Sequence, residues 1–371
     1  IGGVHRGVEH SLDISADLTE LGRTPIAVIC SGVKSILDIQ KTLQFLETQG
    51  VCVAVFNGDQ QSPQKVEFPA FFSRKSGSQV NYNLKTAEEA ARLILHRNQL
   101  SLNSGIVIAV PIPLQQQSDG ELITKSIDEA IIEANEKGII GKEVTPYLLK
   151  RVNQLSGGRS LTSNIALIEN NARIGAEIAF QYNMLLNVSK QRLINTSNDT
   201  IDSKRINKSN KSHYSFELSK TSISESMAKS GHQEEGPKEE RNDNQSDESS
   251  PVVIGGSIYD IVADANTDSL RPKLKIHLNT NILRRRNSNE SIIKMSDEIR
   301  SAIHDNRPIV ALESTIITHG MPFPINLQMA LNVETLVRKR GVIPATIAVI
   351  DGKICVGLNK QQMLLLSEDA I

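Results

Sequence analysis

A long polar stretch in the middle of this 371-residue chain limits the fold more than any other feature. From about residue 189 to residue 250 the sequence consists mainly of Ser, Asn, Lys, Glu and Asp, with few large apolar side chains. Such a segment buries too little surface to offset its conformational entropy. We therefore predict a globular segment at 1–188, a disordered linker at 189–250 and further globular sequence at 297–371. An exposed helix at 217–229 is the alternative within the linker.

Composition narrows the classes of function. The formal net charge is −1 and aromatic residues make up 4% of the chain, so neither a basic field nor base-stacking side chains indicate binding to nucleic acid. No apolar run approaches 18 residues, which argues against a membrane-spanning helix. The three cysteines stand singly inside apolar runs, and we expect a reducing, cytoplasmic location, with a mitochondrial one left open. The chain begins at Ile1 rather than Met, which indicates a piece of a longer protein.

Strand and helix patterns alternate along both outer segments. Apolar runs at 26–30, 51–56 and 105–110 predict strands, and helical spacing predicts helices at 35–49, 87–96 and 127–137. In the last segment we expect a helix at 297–306, a strand at 308–312 leading to Glu313, and a helix at 325–340. Asp351-Gly352, between apolar runs at 346–350 and 353–356, predicts a hairpin. This alternation is typical of α/β proteins.

A short apolar phrase interrupts the polar middle. Residues 251–264, PVVIGGSIYDIVAD, predict a strand, a Gly-Gly turn and a second strand. The phrase resembles the opening of ribokinase-like sugar kinases, so 251–270 is either the start of such a kinase or a chance hairpin. We predict a second linker at 271–296. A sugar kinase also needs a C-terminal ATP-binding motif, and we find none in this sequence.

Lys34 directly follows the strand predicted at 26–30 and a Ser-Gly turn, and we expect a helix to begin there. Ligands of open α/β sheets bind at the carboxyl ends of strands. With Val28, Ile29 and Val33 around it, the amine should be desolvated and its pKa should fall, which leaves a neutral nucleophile able to form a Schiff base. A surface lysine at a helix N-terminus is the alternative, and the pattern alone favours that alternative.

The phrase LDISADL carries oxygen-bearing side chains at alternate positions, namely Asp13, Ser15 and Asp17. On one face of an extended strand they would suit a hard divalent cation or the hydroxyls of a sugar. A solvated polar face, or capping of a helix that begins near Ala16, explains the same pattern and is favoured by it.

Four more polar side chains are candidates for a binding site. IGGVHRG places His5 and Arg6 in a glycine-rich loop able to cradle a phosphate, although its glycine spacing does not fit a dinucleotide site. Glu313 ends a predicted strand and is either a general acid with a raised pKa or an ordinary surface carboxylate. Asn164 lies inside a helix predicted to begin near residue 160. Asn is unfavourable there, so its side chain is either exposed or has a specific role.

Taken together, these phrases resemble one family, the pseudouridine-5′-phosphate glycosidases, also called indigoidine synthase A-like proteins. IVALESTIITHGMPFP and PATIAVIDGKICVGL are similar to the N-terminal portion of the family. Similar to its C-terminal portion are IGGVHRG, DISADL, AVICSGVKSILDI, LETQGV, FPAFFSR, GKEVTPYLL and GGRSLTSNIALIENNAR. The resemblance covers 1–180 and about 300–371. It implies a layered α/β/α fold with a central mixed sheet, here interrupted by the linker, and a homotrimer.

The resemblance also implies a reaction, the reversible cleavage of the C–C bond that joins uracil to ribose 5-phosphate in pseudouridine 5′-phosphate. Lys34 would be the Schiff-base nucleophile and Glu313 the proton donor. Asp13 would hold a divalent metal, Mn²⁺ in the family, mostly through its waters. The residues that would contact the substrate are Ser15, Ala16 and Asp17, together with His5 and Asn164 in the pocket beside the uracil or the sugar.

Two departures from the family pattern bear on this function. The portion that is C-terminal in the family precedes the linker here, and the N-terminal portion follows it. The family's connector between these portions, which supplies a phosphate-binding lysine, has no counterpart in the sequence. Three origins explain this order: tandem glycosidase copies cut at both ends, a circular permutant, or a misassembled translation. A parent protein in which the glycosidase is fused to a pseudouridine kinase would account for the kinase-like phrase at 251–264. Because the connector is missing, we expect one strand of the sheet to be lost and the activity to be poor. A noncatalytic interaction scaffold is the alternative function.

Overall fold

The computed structural model of the protein describes residues 1–57, 65–139, 144–206, 252–254, 262–265, 272–275 and 292–368. Its main compact unit comprises Ile1–Leu185 and Ser246–Ile371. A second unit, Leu186–Gln245, contains the continuation of one helix as far as Ile206. The two outer segments predicted on either side of the linker therefore belong to one folded unit.

The described residues of the main unit form a nine-stranded mixed sheet. In sheet order its strands are β10 (Ile293–Met295), β13 (Lys353–Val356), β12 (Ile343–Ile350), β11 (Ile309–Glu313), β7 (Val252–Ile254), β1 (Ala27–Cys30), β6 (Ile106–Ala109), β2 (Cys52–Phe56) and β5 (Tyr82–Leu84). Neighbouring strands are parallel, with the exception of the antiparallel pair β12 and β13. The hairpin predicted at Asp351-Gly352 is thereby confirmed.

Two small antiparallel pairs lie outside this sheet. They are β3 (Val66–Glu67) with β4 (Gln79–Val80), and β8 (Val262–Ala265) with β9 (Pro272–Lys275).

Helices connect the strands and cover the sheet. They are α1 (Val8–Ser11), α2 (Ala16–Arg23), α3 (Ile39–Thr48), α4 (Ala87–Gln99), α5 (Gln117–Glu136), α6 (Val144–Leu155), α7 (Arg159–Ile206), α8 (Asp297–His304), α9 (Ile325–Arg338) and α10 (Lys360–Glu368). Every residue of β1 and of β6 is buried. Strands buried on both faces are typical of a sheet covered by helices on both sides. The predicted α/β/α arrangement with a central mixed sheet is confirmed.

Side-chain caps set where several helices begin. Asp38 accepts a hydrogen bond from the Lys41 backbone N–H at 3.0 Å, so α3 begins at Ile39 rather than near residue 35. Thr86 caps α4 in the same way through Glu89. Such caps satisfy backbone N–H groups that have no partner within the helix. The turn before α3, which contains Lys34, is therefore not helical.

The hairpin predicted at 251–264 is wrong. Its first strand, β7, enters the large sheet and pairs with β1 on one side and β11 on the other. In this register Val253 stands opposite both Val28 and Ala311. The second strand, β8, pairs with β9 instead. β7 thus joins the strands of the first segment to those of the last.

The polar middle contains more regular structure than we predicted. Helix α7 continues to Ile206, past the linker boundary expected at residue 189. Strands β9 and β10 lie within the region predicted as the second linker. The remainder of the first linker, including the alternative helix at 217–229, lies outside the described residues. Among the residues that the structure describes, no helix is both long and apolar enough to span a bilayer.

Candidate active site

A cavity of about 530 Å³ lies at the carboxyl ends of β1 and β11. Cys30 and Ser31 line it from the end of β1, and Leu312 and Glu313 line it from the end of β11. One face of α7 and one face of α9 complete the walls. Lys34, Asn164 and Glu313 all line this one cavity. The structure therefore brings together predicted site residues from the two distant segments of the chain.

The sheet sets the spacing between the two sides of the cavity. β7 alone separates β1 from β11, and neighbouring strands lie about 4.8 Å apart, so the two strands are roughly 10 Å apart. Both strands point the same way, because each is parallel to β7. Lys34, which follows β1, and Glu313, at the end of β11, therefore reach the cavity from the same edge of the sheet.

Lys34 lies in the turn between β1 and α3. Its backbone N–H donates to the carbonyl of Ile1 at 3.3 Å, and its own carbonyl accepts from the N–H of Leu37 at 2.9 Å. Its side chain is exposed at the cavity. The apolar wall expected around it is wrong, because Val28, Ile29 and Val33 are fully buried and pack into the core instead. The expected helix start at this lysine is wrong as well.

Glu313 is half-buried at the end of β11, where the strand prediction is confirmed. Its Oε1 accepts a hydrogen bond from the Thr315 backbone N–H at 2.6 Å, and the hydroxyl of Thr315 donates to the same oxygen. Thr315 also lines the cavity. These two contacts fix the direction of the carboxyl group, so Thr315 positions the residue that the sequence singled out.

Asn164 is half-buried on the cavity face of α7, which begins at Arg159 as expected. Sequence reasoning missed Asn171 on the same face. Asn171 is buried and donates from Nδ2 to Ser31 Oγ at 2.9 Å. A separation of seven residues is about two helical turns, so the position of Asn164 was itself the signal for Asn171.

The residues predicted around Asp13 lie in the loop before α2 and in the first turn of that helix, and none of them is among the cavity's lining residues. His5 Nδ1 lies 3.6 Å from Asp13 Oδ2. Ser15 caps α2 and accepts from the Asp17 backbone N–H at 3.3 Å, and Ala16 is the first, exposed residue of that helix. The single strand face predicted for Asp13, Ser15 and Asp17 is therefore wrong. The structure shows the helix-capping alternative.

Close packing of the glycine-rich loop holds this region beside Lys34. The N–H of Gly2 donates to Asp17 Oδ2 at 2.8 Å. A Cβ on Gly2 would lie 2.2 Å from Ser15 Oγ, and one on Gly3 would lie 2.6 Å from Thr42 Oγ1. Both positions exclude larger residues, because the backbone itself is packed against its neighbours. Ser15 and Asp17 thus support the loop whose Ile1 carbonyl binds the Lys34 backbone.

The described residues offer a metal only a small set of donors. They contain no group of three or more His, Cys, Asp or Glu side chains arranged to hold an ion. Asp13, half-exposed with His5 beside it, supplies one carboxylate, while an oxygen of Asp17 is already used by Gly2. One carboxylate with several waters is a mode that hard divalent cations accept. The donors fit an ion held mainly through water rather than a closed protein cage.

These features define an α/β protein with a small-molecule cavity at the carboxyl edge of its sheet, furnished with an amine, a carboxyl group and two amides. The sequence profile of the family described as "Indigoidine synthase A like protein" matches residues 1–181 and 298–370. The chain belongs to this family.

Curated relatives match about half of this chain. A pseudouridine-5′-phosphate glycosidase of Arabidopsis thaliana is 50% identical over 186 residues, which is 50% of this chain and 54% of the relative. One from Alkaliphilus metalliredigens is 52% identical over 179 residues, 48% of this chain and 56% of the relative. The chain thus spans about half the length of the curated relatives it matches.

Solved structures give a looser match. A crystal structure of the prealnumycin C-glycosynthase AlnA in complex with ribulose 5-phosphate is 33% identical, with a TM-score of 0.40 over 45% of this chain and 53% of that one. An indigoidine synthase A-like protein from Thermotoga maritima is 35% identical, with a TM-score of 0.37 over 46% of this chain and 52% of its own.

Proposed function

We propose that this protein acts on pseudouridine 5′-phosphate as a C-glycosidase and forms uracil and ribose 5-phosphate. The observation that carries the proposal is that Lys34, Asn164 and Glu313 line one cavity although they come from three separate stretches of the chain. Family membership supports the same reaction, and so do the names of relatives that are about 50% identical over about half of this chain.

Lys34 is the nucleophile in this proposal. Its Nζ bonds to C1′ of the sugar as the C1′–O4′ bond breaks, and the proton that the amine loses passes to O4′. Uracil is a poor leaving group because it departs through carbon. The new C–N bond solves this difficulty, since the nitrogen lone pair forms an iminium as the C1′–C5 bond breaks. An exposed amine at the cavity is accessible for such an attack.

Glu313 supplies the proton that uracil needs. Uracil C5 keeps the electron pair of the broken bond and takes a proton from this carboxyl group. Water then adds to the iminium, which releases ribose 5-phosphate and restores the amine. The spacing of roughly 10 Å between β1 and β11 leaves space for an opened sugar and a base between the two groups.

The remaining predicted residues take supporting parts. Asn164 offers an amide to the uracil or the sugar from the wall formed by α7. Ser15 and Asp17 support the loop next to Lys34, Ala16 begins the helix that Ser15 caps, and His5 lies beside Asp13. Asp13 would hold Mn²⁺ mostly through water, and the bound ion would supply positive charge that orients substrate oxygens. On the family resemblance we also propose a homotrimer, which sedimentation analysis can test.

Trapping the lysine adduct tests the reaction. The full chain is incubated with ribose 5-phosphate, reduced with borohydride, and the modified peptide is identified by mass spectrometry. We expect one sugar adduct, on Lys34, and its loss in Lys34→Arg. Lys85→Arg is the matched control, because Lys85 is an exposed lysine that does not line the cavity, and it should keep the adduct.

Uracil release from pseudouridine 5′-phosphate is measured in the same variants. We expect slow release by the natural sequence and none by Lys34→Arg. An adduct spread over many lysines, or none at all, would refute the proposed reaction and favour a noncatalytic scaffold. Rapid turnover would support the reaction while showing that our expectation of poor activity is wrong.

A further inference from the structure

The segment around Phe71 borders the cavity, and the proposed reaction gives it no role. The segment turns back on itself within four residues. The Ala70 N–H donates to the carbonyl of Ser73 at 2.8 Å, and the Ser73 N–H donates to the carbonyl of Ala70 at 3.2 Å. We call Ala70–Ser73 the aromatic turn, because its two central residues are Phe71 and Phe72. Both of these side chains line the cavity.

Phe71 has a backbone conformation that a large side chain disfavours. Its φ is +58°, in the left-handed region, and Phe72 does not share it. The aromatic turn thus follows the type II′ pattern, in which the first central residue is usually glycine. A bulky residue with a positive φ is an outlier. Such residues persist where the surrounding structure holds them, and they cluster at functional sites, so this strain in the cavity wall indicates a role for the turn.

The aromatic turn holds the chain on both sides of Lys34. Before the lysine, the Phe71 N–H donates to the carbonyl of Ser31 at 3.2 Å. After it, the hydroxyl of Ser35 donates to the carbonyl of Ala70 at 2.7 Å. The chain that presents the amine to the cavity is therefore fixed on either side of Lys34 by one turn.

Two glycines allow the aromatic turn to pack this closely. A Cβ on Gly32 would lie 2.4 Å from the carbonyl oxygen of Pro69, and one on Gly120 would lie 1.8 Å from that of Phe72. Gly120 belongs to α5, so the turn is confined between that helix and the chain that carries Lys34. Backbone packed on both sides keeps a strained conformation from relaxing.

Other contacts hold the same chain from a different direction. The Lys34 N–H donates to the carbonyl of Ile1 at 3.3 Å, and Arg6 Nε donates to the carbonyl of Ile36 at 3.2 Å. Both contacts come from the glycine-rich loop. The aromatic turn therefore supplies a second, separate hold on the residues that flank the lysine.

We propose that the aromatic turn positions Lys34 for its attack on the sugar, and that the turn requires the left-handed backbone of Phe71 rather than its ring. The inference rests on the proposed function, and it adds Ser35 and Phe71 to the reaction as positioning residues. A displacement of a reacting group by about 1 Å can lower a rate by about a hundredfold. The positioning role therefore predicts a loss of maximal rate without a loss of affinity.

The first test removes one hydrogen bond of the turn. The initial rate at which borohydride traps the adduct on Lys34 is measured in the full chain over a range of ribose 5-phosphate concentrations. We expect Ser35→Ala to lower the maximal rate about tenfold or more and to leave the half-saturating concentration unchanged. Ser35→Thr keeps a hydroxyl and should recover most of the rate. Ser301→Ala is the matched control and should change nothing, because the exposed Ser301 hydroxyl donates to Asp305 at 3.0 Å outside the cavity.

The second test separates the backbone of Phe71 from its ring. Glycine adopts a positive φ freely, whereas a β-branched residue opposes it. We expect the maximal rate to be about tenfold lower in Phe71→Val than in Phe71→Gly, although valine keeps more of the apolar wall. Equal rates in these two variants, or the reverse order, would overturn the inference. A maximal rate in Ser35→Ala equal to that of the natural sequence would overturn it as well.

A third measurement does not depend on the reaction. Hydrogen–deuterium exchange of the full chain is followed by mass spectrometry on peptides that cover residues 31–37, where the N–H of Lys34 is hydrogen-bonded. Exchange there should be faster in Ser35→Ala and Phe71→Val than in Phe71→Gly and Ser301→Ala. Equal exchange in all four variants would overturn the inference whatever the trapping shows. A complete absence of adduct in the natural sequence would refute the proposed reaction, and the exchange experiment would then decide the inference alone.

Discussion

Replacing Asn326 by Ala should destabilise the unit that carries the cavity by about 3 kcal/mol. Asn326 is completely buried. Its Nδ2 donates to the carbonyl of Ile317 at 2.8 Å and to that of Ser367 at 2.9 Å, and its Oδ1 accepts from the Leu327 backbone N–H at 2.8 Å. Ser367 lies in the last turn of α10 and Leu327 in the first turn of α9, where backbone groups lack partners within their own helix.

The magnitude follows from what the substitution leaves behind. Two carbonyls and one N–H would lose a partner, and a buried group left without one costs about 1–3 kcal/mol. The estimate takes about 1 kcal/mol, the lower end of this range, for each of the three groups. We use the lower end because the small cavity left by the truncated side chain can relax in part.

Urea unfolding followed by circular dichroism measures the effect. Asn332→Ala is the matched control, because Asn332 is exposed on the same helix and its amide oxygen only accepts from Gln328 Nε2 at 3.0 Å. We expect the control to change the free energy of unfolding by less than about 0.5 kcal/mol. A change below about 1 kcal/mol for Asn326→Ala, with an unaltered denaturant slope, would refute the reasoning.

Three further substitutions test other parts of the structure. Gly2→Ala should lower the free energy of unfolding by about 1–3 kcal/mol, because the new Cβ would lie 2.2 Å from Ser15 Oγ; an unchanged urea midpoint would contradict this. Asp13→Asn should weaken Mn²⁺ binding, measured by electron paramagnetic resonance, whereas equal binding would place the ion elsewhere. Arg151 lowers the pKa of Glu133 from 4.5 to about 2. That carboxylate therefore contributes stability that is present above about pH 4.5 and lost as the pH falls towards about 2, and Glu133→Gln should flatten the dependence of stability on pH in this window.

Much of the fold was predictable from local patterns. The strands β1, β2, β6 and β11 lie within a residue or two of their predicted positions. Each is a short apolar run bounded by turn residues, which is how strands buried on both faces look in a sequence. The Asp351-Gly352 hairpin was equally clear, because its turn type requires those residues.

The environment of Lys34 could not be predicted in the same way. At the end of a strand the chain turns, so the side chains of consecutive residues point in different directions and enter different environments. Val33 enters the core, and the next residue reaches solvent at the cavity.

The loop around Asp13 shows a second limit. Polar residues at alternate positions fit a strand face, but Ser15 and Asp17 fit a helix start as well, and the contacts of Gly2 decide in favour of the helix. Those contacts depend on tertiary packing. Asn171, by contrast, was within reach of sequence reasoning through its spacing from Asn164.

The course of β7 has a consequence for how the chain could be divided. β7 comes from residues outside both ranges that match the family. Its three residues nevertheless form the only strand in the described sheet between the strand leading to Lys34 and the strand ending in Glu313. Strands pair through hydrogen bonds between backbone groups, so this position in the sheet requires an extended backbone more than it requires particular side chains. Cutting the chain on both sides of β7 would expose two new sheet edges and leave the strand leading to Lys34 unpaired with the strand that ends in Glu313. A short peptide that adopts an extended conformation, supplied separately, should restore the pairing.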